Sequence, residues 1–215
     1  MYIPLKEENF RKAQDAYIKG RRDEYIAIAK RSLMPLGNGF RDHGDLQHIA
    51  SDDEQFKMFY EFVRWYVVGM TAKATRSRNP LRSRKYLQEA HDVFKLTLEH
   101  PAIKERIEND PILFEFIRDG AKILFALANV CFLWQRRMYI RQGISMLLTF
   151  SNYLPDDHPT KHLMLIEASL AATVITHTDT VGTERHLTAL YEKLIEENPH
   201  RVITPETAAT FKKTA

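Results

Sequence analysis

Apolar residues recur at three- and four-residue steps through most of this chain, in blocks that run into Asn79-Pro80, His100-Pro101, Leu154-Pro155 and Asn198-Pro199. That spacing is one face of an α-helix. Proline stops a helix because it lacks the amide donor and its ring clashes with the preceding turn. No block alternates with period two between hairpin turns, so strands are not expected. The pattern predicts an all-α protein of antiparallel helical hairpins.

The blocks divide into hairpins at residues 6–35, 54–101, 111–155 and 158–199, within a single all-α domain spanning 1–215. In the first, Phe10, Ala13, Ala16 and Tyr17 share one face, and Tyr25, Ile28, Ala29 and Leu33 share the next, with a break near Gly20. Pro35 to Gly44 reads as loop. Ser51-Asp52-Asp53-Glu54 reads as a helix start, with a capping residue and carboxylates at the positive helix end. Phe56, Phe59, Phe62, Val63, Tyr66, Val67 and Met70 then form a wide apolar stripe. Leu81 to Glu99 continues in helix, with a short turn of helix over Ala102 to Ile107. Asn109-Asp110-Pro111 starts the most apolar helix, Ile112 to Leu133, which Arg136-Arg137 ends. Met138 to Tyr153, His158 to Thr176 and Thr183 to Glu197 follow, and the tail from Pro205 adds a frayed turn.

Composition narrows the function classes. A formal charge of +3 is too mild for a dedicated DNA binder but permits acidic partners. Cys131 is the single cysteine, which excludes an intramolecular disulfide or a cysteine-based zinc site. The segment from Met1 turns polar at once and lacks the apolar run of a secretory signal. The longest apolar stretch, Ile123 to Trp134, is about half the ~20 residues a membrane helix needs. A reducing, cytoplasmic location without membrane insertion is expected.

Leu127-x2-Val130-Cys131-x2-Trp134 followed by Gly143-x3-Leu147-x2-Phe150 and Pro155 resembles a degenerate tetratricopeptide unit. An earlier copy reads Trp65-x2-Val68-Gly69-x2-Ala72, then Ala90-x3-Phe94-x2-Thr97 and Pro101. A later one reads Leu187-x3-Tyr191-x2-Leu194 and Pro199, after the helix Leu163 to Ile175. The resemblance implies hairpins stacked as a right-handed superhelix, whose groove binds a peptide or partner helix without catalysis. The closing prolines share no constant period, so an irregular helical bundle satisfies the same pattern.

The strongest surface signal is a basic connector over residues 72–88, with Arg76, Arg78, Arg82, Arg84 and Lys85 and no carboxylate. Arg136, Arg137 and Arg141 form a second cluster. Guanidinium groups could clamp carboxylates or phosphates with paired hydrogen bonds, or simply keep a helix junction solvated. Arg136 and Arg137 could also interact with the negative end of the long helix. Asp42, His43, Asp45 and His48, with Asp156, Asp157, His158 and His162, could hold a divalent metal, but neither segment carries an established ligand motif. Polar loops and helix caps account for both. Trp65 and Trp134 sit at helical spacing and are core candidates before they are base-stacking platforms. No phosphate cradle, nucleophile elbow or dinucleotide fingerprint occurs. The expected function is therefore a protein–protein interaction module with no cofactor, an acidic peptide or helix being among the partners it could take and self-association being a variant. Nucleic-acid binding through the arginines is the alternative, and a helical metal-dependent hydrolase the third.

Overall fold

The computed structural model describes residues 2–37, 39–108 and 112–176, and the fold is all-α. Among the described residues the helices are α1 (Glu7–Ile18), α2 (Arg22–Leu33), α3 (His43–Ser51), α4 (Asp53–Arg76), α5 (Pro80–Glu99), α6 (Pro101–Glu108), α7 (Ile112–Val130), α8 (Leu133–Ser151) and α9 (Pro159–Thr176), with no strand. Their unequal lengths and connections make an irregular helical arrangement. The chain groups into two compact units, Met1–Ala74 with Lys85–Leu113, and Thr75–Arg84 with Phe114–Ala215.

In the first unit α1 and α2 pair as a hairpin that reverses at Gly20, whose φ of 66° is costly for a residue with a Cβ. The amphipathic faces read from the sequence turn inward: Ala13, Ala16, Tyr25, Ile28, Ala29 and Leu33 are buried. Trp65 of α4 belongs to an aromatic core, with Phe10 at 5.2 Å and Tyr17 at 5.9 Å between ring centroids. α4 comes close to α2 at Gly69, where a Cβ would fall 2.7 Å from the Tyr25 ring and 2.5 Å from Ile26. Asp52 starts α4, its carboxylate accepting the amides of Glu54 and Gln55.

The segment expected to be loop around residues 41–48 is largely helical. Asp42 caps α3 by accepting the Asp45 amide at 2.8 Å. Arg41 is buried and donates to the Ser32 carbonyl at 2.8 Å, the Ile3 carbonyl at 2.5 Å and the Asp45 carboxylate at 3.1 Å. Those bonds fix the start of α3 firmly enough for Gly44 to be carried inside a helix.

In the second unit α7 is buried without interruption from Phe116 to Ala128, as its all-round apolarity predicts. α8 pairs with α9. α8 also meets α7 at Gly143, where a Cβ would fall 2.9 Å from Cζ of Phe125. The break after α7 comes earlier than the arginine pair suggests. α7 ends at Val130, Phe132 adopts extended backbone (φ −69°, ψ 152°), and α8 starts at Leu133. Arg136 and Arg137 therefore lie at the start of α8 and do not close α7. The expected helix start at Asn109-Asp110-Pro111, the helix Thr183 to Glu197 with Pro199, and the turn from Pro205 lie outside the described residues.

Candidate functional site

The basic connector is mostly helix. α4 runs to Arg76 and α5 begins at Pro80, leaving only residues 77–79 between them. Asn79 caps α5, its side-chain oxygen accepting the amides of Leu81 at 2.9 Å and Arg82 at 3.3 Å. Arg76, Arg78 and Arg82 are exposed and Arg84 is half-buried. Lys85 is exposed and falls in the first unit. In α8, Arg136 is half-buried, whereas Arg137 and Arg141 are exposed.

Two helix starts in the second unit are consequently basic. α1, α2 and α4 each open with two acidic residues, which suit the positive end of a helix. α5 and α8 open with none and carry Arg82, Arg84 and Arg136 instead. A cation in that position costs roughly 0.3–1 kcal/mol at an exposed site, and an anion reverses the sign. α8 adds unmet capacity, since its N-cap is Phe132, which has no side-chain acceptor for the first amides.

The charges at both starts are felt by Cys131. Burial raises the pKa of its thiol, while the charge of Arg84, then a backbone hydrogen bond, then the charge of Arg136 pull it back down. Both guanidinium groups therefore act on one point. Nε of Arg136 and Oε1 of Gln135 are buried without hydrogen-bond partners. Two apolar side chains stand exposed at the same starts, Leu81 at 78% and Phe132 at 68%. Leu81 is one helical turn before Arg84 and so shares its face. The combination offers two cations, a start of α8 without a side-chain cap, and apolar surface, which suits an acidic group attached to something hydrophobic.

A second polar cluster lies inside the same unit and was missed in the sequence reading. Arg118 of α7, 2% exposed, donates to Glu167 of α9, with Nη2 at 2.5 Å from Oε1 and Nε at 3.2 Å from both carboxylate oxygens. Lys122 pairs with Asp119 at 3.2 Å on the same helix. Burial lowers the pKa of Lys122; Asp119 opposes that shift, Arg118 adds to it, and Glu167 opposes it. Two cations and two anions cancel, so the cluster joins α7 to α9 as a neutral group. The signal was available: Arg118, Asp119 and Lys122 are three charges in a helix otherwise apolar enough to be central.

The histidine–carboxylate segments take structural roles. His43 and His48 lie on α3, with His48 against the Tyr2 ring at 4.8 Å. Asp45 is held by Arg41. His158 Nδ1 accepts the Thr160 amide at 3.2 Å at the start of α9, and Asp156 pairs with Lys161 at 2.6 Å. Among the described residues, no group of three or more His, Cys, Asp or Glu side chains is placed to hold a metal ion. Nor is any helix among them long and apolar enough to cross a membrane. The chain matches no known family model, curated protein or solved structure.

Proposed function

We propose that this chain is a non-catalytic interaction module of a reducing, cytoplasmic compartment. Its partner is an acidic segment of another protein, docked at the starts of α5 and α8. The observation that supports this reading is the pair of helix starts that have no acidic residue of their own and carry Arg84 and Arg136, whose charges both reach Cys131. A carboxylate arriving there gains guanidinium donors, and at α8 a helix start without a side-chain cap. Leu81 and Phe132 favour a peptide over a nucleic acid, because an apolar side chain beside the acid has surface to cover while a phosphate backbone has none.

The test is a binding comparison between short peptides in which Glu or Asp is interleaved with Leu or Phe, basic counterparts, and single- and double-stranded oligonucleotides. Acidic-apolar peptides should bind, and Arg84→Gln with Arg136→Gln should remove most of that binding. Preference for oligonucleotides, with affinity falling steeply between low and moderate salt, would move the assignment to nucleic acid. Binding that ignores both arginines would overturn the site.

A further inference from the structure

His100 occupies the junction between α5 and α6, and its carbonyl accepts the Lys104 amide at 2.8 Å, which makes it the cap of α6. Its side chain is only 7% exposed, and neither ring nitrogen makes a well-formed hydrogen bond, although the His43 backbone lies within polar reach. Against it lies the ring of His43, the first residue of α3, with centroids 4.4 Å apart and planes tilted by 48°. α3 and α6 contact each other. Two imidazoles thus face one another across a helix–helix joint, His43 at the positive end of α3 and His100 between the negative end of α5 and the positive end of α6.

The neighbouring charges are committed elsewhere. On the α3 side, the Asp42 carboxylate accepts the Asp45 amide, Asp45 is paired with Arg41 and accepts the Ile3 amide, and His48 rests on Tyr2. On the α5 and α6 side, Glu99 pairs with Lys95 at 3.4 Å, Arg106 pairs with Asp53 and lies over Phe56, and Lys104 and Glu105 are exposed. The charge that acts on His100 is that of His43.

We propose that His100, packed against His43, forms an acid-sensitive latch between α3 and α6, closed while the buried imidazole is neutral and released when it takes a proton. Burial, and then the charge of His43, lower the pKa of His100 from its ordinary 6.5, with the nearby His43 backbone opposing. The unfolded chain therefore takes up this proton before the folded one does. Stabilisation of the joint is complete above about pH 6.5 and falls as pH drops from there towards the folded midpoint. Release uncovers Leu46 and Ile49 of α3 and Ile103 and Ile107 of α6, all buried in the closed state. Acid would thereby expose an apolar surface on the first unit without any change in the arginine site of the second.

Hydrogen exchange resolved by helix tests the latch, comparing pH 7.5 with pH 5.0 after correction for intrinsic exchange. Protection of residues 43–51 and 101–108 should fall about tenfold for every pH unit between the folded and unfolded midpoints, while that of α8 stays level. His100→Gln, neutral at both pH values, should abolish the fall. His43→Gln, at an exposed position, should shrink it even if His100→Gln does not fold. His91→Gln should leave it intact. An equal acid loss across all helices, or a fall that survives His43→Gln at full size, would overturn the proposal.

Discussion

Arg118 and Glu167 form a buried ion pair that joins the middle of α7 to the middle of α9, the guanidinium and carboxylate meeting at 2.5 Å. Removing one partner leaves the other charged inside the protein, a loss of ~3–5 kcal/mol, whereas replacing both with apolar groups of similar volume is often neutral or stabilising. Arg118→Met and Glu167→Leu should each lower the urea midpoint severely, and the double variant should recover most of it. Equal losses in the singles and the double would show that the pair's own geometry, and not the stranded charge, is what matters.

Gly143 admits the Phe125 ring at the contact between α8 and α7. Gly143→Leu should cost at least 1–3 kcal/mol by overpacking, offsetting any gain in helix propensity. Combining it with Phe125→Ala should restore part of the loss, because the side chain in the way is then gone. Thermal melts of the two singles and the double measure the coupling.

Charge at the start of α5 separates stability from binding. Arg82→Glu places a carboxylate in the first turn of a helix that has none, and it should raise stability by about 0.3–1 kcal/mol. The same change should weaken an acidic peptide severalfold. A variant that loses binding and stability together would point to a structural role for Arg82.

The thiol of Cys131 reports on the site. With its pKa above the ordinary 9.0, its alkylation by iodoacetamide should be slow at pH 7.5 and rise only at more alkaline pH than for a free cysteine. An anion that neutralises Arg84 and Arg136 removes two of the three influences that lower the thiol pKa, leaving the backbone hydrogen bond. Saturating acidic peptide should then slow alkylation further at fixed pH, and unchanged kinetics would place the peptide elsewhere.

The helices with one apolar face were legible in the sequence. Phe56 to Met70 became the inner face of α4, and Gly20 became the reversal between α1 and α2, because period and punctuation are local properties of the chain. α3 was not legible, since its nine residues include a glycine, two histidines and an aspartate, and they hold together through Arg41 bonds to Ser32 and Ile3. The boundary of α7 was misread for a similar reason. An arginine pair resembles a helix end, yet the chain had already broken at Cys131 and Phe132, where no proline or glycine marks it. The basic residues were found as a list, but their place at the starts of α5 and α8 depends on where those helices begin. The Arg118–Glu167 pair required a partner 49 positions away.

α7 has no side turned to water between Phe116 and Ala128. A nascent chain that has emerged only as far as Val130 therefore presents a sticky rod whose charged residues still lack Glu167. It must wait for α8 and α9 to be made before it can be shielded, so translation pauses or truncations between residues 130 and 167 should be the point at which this protein most needs a chaperone.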